Sequence, residues 1–506
     1  MSTTIWLAMV SLTLASLSAP AQVSPADAHA LLARAIEAMG GEALRNIRSL
    51  EIETSAHEYA IEQSERPDGP FIVTYEQGKE LRDYAGRRIR GECQQREIQS
   101  PEWSPLVALI ATDDAVAMMR GDRAMPGSSS QLDAARRTLE LSPERMLFTA
   151  LEARDLKLEP DVKLRGMNQR ALSFSWNGRR VRILLNPYNA LPTSLEVIGP
   201  DPLFSMWGIV TETTQFSYWN LEPGGIRYPR QLDDFWNGVT KSSTSITKLR
   251  VNPTVGGATV TIADDVRKAF AAAKPTGFNT AVLNTAQAQE IAPGVVLVRG
   301  SWNTTFVRQP DGILIIEAPI SSGYSAQALD EAARRFPGVP VKGVVTTSDS
   351  WPHIGGVREY VARGIPVYAL DLNRPILERL LAAPYGEAPD LLARVPKAAT
   401  FKWVAGRTVI GSGDTRVELY PIRGENGERM LMAYFPAQRL LYASDEIQRL
   451  RTGTFFMPEY LLETRDAVQR EKLAVERVFG MHLPVIPWSE VEAGIEKAVS
   501  GSGLQP

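Results

Sequence analysis

Thr347-Ser348-Asp349-Ser350-Trp351-Pro352-His353-Ile354-Gly355-Gly356 lies between the apolar pair Val344-Val345 and the run Val357-Arg358-Glu359-Tyr360-Val361. This layout predicts a strand end, a loop and the start of a helix. Working outward, strands and helices alternate. Strands are expected at Val295–Arg299, Ile313–Ile316 and Val344–Thr347, helices at Ser325–Arg335 and Val357–Arg363, and Gly364 leads into the strand-like Ile365-Pro366-Val367-Tyr368-Ala369. Further strands are expected at Val417–Pro421, Met430–Phe435 and Arg439–Ala443.

The frame around Thr347–Gly356 resembles the metal-binding loop of the metallo-β-lactamase superfamily, T-H-x-H-x-D-H-x-G-G. The resemblance covers about two-fifths of the chain and implies an αββα sandwich over residues 287–500. It also implies a site for two zinc ions, but most ligand positions have changed. Ser348 and Ser350 stand where the first two His belong, Pro352 replaces the Asp, and Asn426, aligned on the strand after Arg423-Gly424-Glu425-Asn426-Gly427, stands where the third His belongs. His353 keeps its place. Asp445, at the end of Phe435-Pro436-Ala437-Gln438-Arg439-Leu440-Leu441-Tyr442-Ala443-Ser444-Asp445, matches the bridging Asp. His482, after Val478-Phe479-Gly480 and ahead of Trp488-Ser489-Glu490, matches the last His.

His353, Asp445 and His482 are the candidate metal ligands: two imidazoles and a carboxylate suffice for one zinc with an open position, and suit iron or manganese equally. Such an ion lowers the pKa of its water to about 7, which makes hydrolysis of an ester, amide or thioester the expected chemistry. With Pro352 in place of the carboxylate, a base has to come from Asp349, Glu425 or Glu428. The alternative is a protein without metal, in which Asn426-Gly427 is a tight turn, His353 caps a helix, His482 packs in the core, and the fold binds a lipid or a protein partner. Trp302 and Trp351 are expected either as an aromatic rim for a substrate or as packing between domains.

The preceding residues, 24–253, read differently. Apolar positions at helical spacing from Ala28 to Met39, closed by Gly40-Gly41, predict a short helix. Period-two segments follow. Leu172, Phe174 and Trp176 alternate up to a hairpin signal, Asn177-Gly178, and Val181, Ile183 and Leu185 form the return strand. Further strands are expected at Leu195–Ile198, Thr211–Trp219, Gln231–Trp236 and Ser243–Val251. A helix followed by an antiparallel sheet loosely resembles the half-barrel of bacterial lipoprotein carriers, with Trp176, Trp219 and Trp236 as candidate groove residues. That resemblance implies a concave face that holds an acyl chain; the alternative is a structural or docking domain. Residues 254–286 form a linker with a short helix at Asp264–Ala273.

With 506 residues, 44% hydrophobic and 22% charged, the chain is long enough for several cores. A net charge of -3 supplies no basic field, so nucleic acid is not an expected partner. Ile5–Leu17, ending at Ala19-Pro20-Ala21, reads as a secretory signal over residues 1–21, which implies a periplasmic or secreted protein; no later apolar run is long enough to span a bilayer. The lone Cys93 can form no internal disulfide, and serine-nucleophile, phosphate-loop and dinucleotide signatures are missing from the sequence.

Overall fold

The computed structural model describes residues 25–61, 72–97, 102–121, 123–200, 205–273, 277–450 and 453–501. The signal segment expected at residues 1–21 lies outside them. Among the described residues no helix is long and apolar enough to cross a membrane.

The N-terminal domain is built on one antiparallel sheet of thirteen strands. It runs from the edge strand Arg123–Pro126 through Ser49–Tyr59 at the centre, which pairs with the last strand Val239–Val251, to the other edge at Lys157–Leu164. The edges do not pair with each other, so the sheet is an open, coiled layer. Asn177 and Gly178 both take positive φ (47° and 74°), the geometry of a two-residue hairpin turn matched to strand twist. Inside the coil the helix Pro25–Met39 buries Ala28, Leu32, Ala35, Ile36 and Met39 against Leu172, Phe174, Val181 and Ile183 of the sheet. The helix Met146–Glu152 joins this core through Met146, Leu147 and Ala150. Part of the concave face is thus filled by the domain's own helices. The three candidate groove residues also part company. Trp176 donates its indole N–H to Glu140 Oε2 at 2.7 Å, Trp219 packs edge-on to Phe216, and Trp236 belongs to the contact with the second domain.

Two mixed sheets make the second domain. Seven strands run in the order Ala288–Ala292, Val295–Val298, Thr304–Gln309, Gly312–Ile316, Val341–Val345, Val367–Leu370, Phe401–Val404, the last four parallel. Six run from Thr408–Ile410 to Ile486–Pro487, with Leu440–Tyr442 parallel to Arg477–Phe479. Strand alternation separates the layers: Val295 and Leu297 face the second sheet, whereas Val296 and Val298 face helices. One core lies between the sheets, a second under the helices Ser322–Arg335 and Val357–Arg363, and a third under Pro458–Arg470 and Trp488–Gly501. Four layers in this order are the αββα arrangement expected from the sequence.

The domains meet over Met206, Trp207, Val210 and Trp236, which share a core with the helices of the sandwich. Arg379 lies over the Trp207 ring at 4.5 Å. A backbone bond from Ile209 N to Pro384 O, 2.7 Å, crosses the contact. Gly208 beside it has φ +63°, and a Cβ there would stand 2.1 Å from Pro384 O.

Candidate functional site

Four loops converge where parallel strands end. Gly312–Ile316 delivers Glu317, Val341–Val345 delivers Thr347 and the following motif, Leu440–Tyr442 delivers Ser444 and Asp445, and Arg477–Phe479 delivers His482. Parallel pairing puts these carboxyl ends on one edge of the sandwich. Two of the loop residues carry backbone strain: Glu317 has φ 80° and Ser444 φ 53°.

The two glycines of the motif are set by packing. A Cβ on Gly355 would lie 2.5 Å from Ile320 O, and one on Gly356 would lie 1.9 Å from Ser325 Oγ. Gly356 N also donates to Ala318 O and Ala318 N to His353 O, which stitches the motif to the loop after Glu317. Pro352 sits in the first turn of the helix Trp351–Ile354, where a missing N–H costs nothing. Ser348 Oγ accepts from Ser350 N at 3.2 Å, so the first substituted ligand position has become a turn-stabilising hydroxyl.

His353 is fully buried, with a carboxylate at each ring nitrogen. Nδ1 lies 3.0 Å from Glu317 Oε2 and Nε2 lies 2.8 Å from Asp445 Oδ2. Glu317, equally buried, also accepts from Tyr442 OH at 2.9 Å and from Thr347 Oγ1. Burial opposes a charge on the imidazole, but Glu317 and Asp445 outweigh it and hold the His353 pKa up to about 10. Burial likewise works against the Asp445 carboxylate, and the neighbouring His353, with His482, keeps its pKa below the usual range. His482, with a third of its side chain exposed (32%), places Nε2 3.6 Å from Asp445 Oδ1.

The expected trio is therefore brought together around Asp445, with His353 turned to a carboxylate at each ring nitrogen. An imidazole ligates through an unprotonated nitrogen, and here both His353 nitrogens face carboxylates at hydrogen-bond distance. Asn426 is committed elsewhere, its backbone N and Nδ2 donating to Glu463 Oε1 at 3.0 and 2.8 Å, while Gly427 N donates to Oε2 at 2.8 Å. Of the candidate bases, Asp349 is buried, Glu425 is exposed, and Glu428 lies 4.0 Å from Arg429.

Trp302 and Trp351 are covered from the linker. Phe278 packs 4.7 Å from the Trp351 ring and 5.7 Å from the Trp302 ring, and Ser321 Oγ donates to Phe278 O at 2.9 Å. Sequence reasoning missed Glu317. Its signal was an acidic residue directly after the four apolar residues of Ile313–Ile316, a place where an unpartnered charge is expensive.

Solved metallo-β-lactamases match part of the chain. The enzyme from Pontibacter korlensis is 17% identical, with a TM-score of 0.32, over 41% of this chain and 96% of its own. FIM-1 from Pseudomonas aeruginosa, in a mono-zinc form, is 14% identical with a TM-score of 0.33, over 43% and 96%. DIM-1 is 14% identical with a TM-score of 0.33, over 42% and 96%. No family model and no curated protein matches the chain. The order of the layers and strands, not these overlaps, carries the fold.

Proposed function

We propose that this chain is a metallo-β-lactamase-like protein that works without a metal centre, as a binding component of the cell envelope instead of as a hydrolase. The observation that carries this reading is the His353 ring, enclosed and held at both nitrogens by Glu317 and Asp445. Ser348, Ser350 and Asn426 in place of imidazoles, and Phe278 over the two tryptophans, support it. Export rests on the apolar segment Ile5–Leu17 and the small residues up to Ala21.

The test is metal content by mass spectrometry of the full mature chain, purified without chelator and dialysed against zinc, iron or manganese. Well under one equivalent is expected for each ion. One equivalent in the wild type that disappears in both His353→Ala and Asp445→Asn would overturn the proposal.

A second reading has its own support. His353 and His482 both meet Asp445, and a carboxylate such as Glu317 on the far ring nitrogen is the usual way a metal-ligating imidazole is oriented. On that reading the chain is a mononuclear hydrolase of an ester, amide or thioester, and the same metal analysis separates the two.

A further inference from the structure

The concave face of the N-terminal sheet that the helices leave open contains a cavity of about 420 Å³, roofed by the helix Ser129–Leu141. Its hollow is written into the strands. Gly78 and Gly91 sit in strand interiors on adjacent strands, in the pairs Gly78↔Cys93 and Glu80↔Gly91; Thr54 Oγ1 fills the space before Gly78, 2.6 Å from where its Cβ would stand, and Gly91 is the one that leaves room. A glycine in a strand interior weakens the strand and marks a place where something approaches the backbone closely. In front of Gly91 a Cβ would meet nothing within 4 Å. On the roof, Ala134 and Ala135 are equally short.

The walls have two characters. Ile52, Ile89, Leu109 and Met118 make an apolar side. Strand alternation brings Glu76, Glu80 and Arg82 to the same face, whereas Lys79 turns to Glu51 at 3.5 Å and Glu92 to Arg90 at 2.7 Å on the other. Arg82 is already matched by Glu80 and by the buried Glu144, 2.7 Å away. Glu76 has an amide partner, Gln95 Nε2 at 2.8 Å, but among the described residues no cation pairs with it. Its field is felt nearby. Burial first, and then the charge of Glu76, push the Cys93 thiol and the Glu58 carboxyl above their ordinary values, with Lys241 opposing this only at Glu58. The cavity therefore has surplus negative charge at one end of an apolar slot.

We propose that this cavity binds a small amphiphilic cation, its ammonium against Glu76 and its apolar body in front of Gly91 under Ala134. The inference is independent of whether the sandwich holds a metal. Charge selects the occupant: a fatty carboxylate would face the carboxylate of Glu76, which costs free energy, whereas an amine supplies the missing counter-charge.

The experiment is titration calorimetry of the full mature chain with octylamine, octanoate and 1-octanol. Octylamine is expected to bind at least about tenfold more tightly than either of the others. Glu76→Gln should bring octylamine down to the level of octanol. Gly91→Leu and, from the roof, Ala134→Phe should each abolish binding with the melting temperature unchanged; the second variant covers the case in which the first perturbs the strand. Octanoate or octanol binding as tightly as octylamine would overturn the proposal. So would octylamine binding unaffected by Ala134→Phe, or no octylamine binding at millimolar concentration.

Discussion

In the N-terminal sheet Glu144 is covered from solvent and receives Arg82 at 2.7 Å and Tyr228 OH at 2.9 Å, with Tyr84 OH as a further donor. In the sandwich Glu317 is equally covered and receives His353 at 3.0 Å and Tyr442 OH at 2.9 Å, with Thr347 as a further donor. The two clusters share a plan: a buried carboxylate, one cation and hydroxyl donors. They differ in the cation. A guanidinium is charged at every accessible pH, while an imidazolium is charged only as long as its surroundings hold the proton. The first cluster is a permanent fastening and the second a conditional one.

Removing the permanent cation should have the largest effect. Arg82→Met strands Glu144 in the interior, and a loss of about 3–5 kcal/mol is expected in urea unfolding at neutral pH. A loss below about 1 kcal/mol would mean that the two tyrosines carry Glu144 unaided. His353→Ala should cost less, about 2 kcal/mol, because Thr347 and Tyr442 go on donating to Glu317 and Asp445 borders solvent. An equal loss in the two variants would erase the distinction between the clusters.

pH sharpens the comparison further. The folded His353 pKa stands at about 10, above the ordinary 6.5, so its contribution to stability is fully present below about pH 6.5 and drains away as pH rises through about 10. Unfolding midpoints measured from pH 6 to 10 should fall more steeply in the wild type than in His353→Gln, and Arg82→Met should leave that slope as it is. The smallest effect lies at the roof of the N-terminal cavity. Ser128 accepts from Gln131 N and Gln131 reaches back to Ser128 N, a capping box on Ser129–Leu141, and Ser128→Ala should cost about 1 kcal/mol with no change in the pH slope.

How much of this was legible depended on whether the signal was local. Gly355-Gly356 and the run Val357–Arg363 announced strand, loop and helix because their constraints are short-range, and the helix Val357–Arg363 forms over the expected residues. The linker helix, expected over Asp264–Ala273, forms at Asp264–Ala272. The strands before Leu172 were harder to read. Val73–Asp83 and Arg88–Glu97 mix charged residues with glycine on the inward face, so the apolar alternation that marked Leu172–Trp176 is missing from them. At the site, motif position named His353, Asp445 and His482, but nothing in the motif reveals that Glu317, 36 residues before His353, closes the other side of the ring. Trp176, Trp219 and Trp236 looked alike on alternating strands; their separate destinations are set by contacts distant in sequence.

Gly208 has a bearing on how this chain can be rebuilt. The contact it makes is main chain against main chain, so no change of side chain on the Pro384 loop can make room for a residue larger than glycine. A chimera that grafts a foreign N-terminal sheet onto this sandwich keeps the junction only if the graft brings glycine to that one position. The two domains must therefore be engineered as a matched pair at this junction.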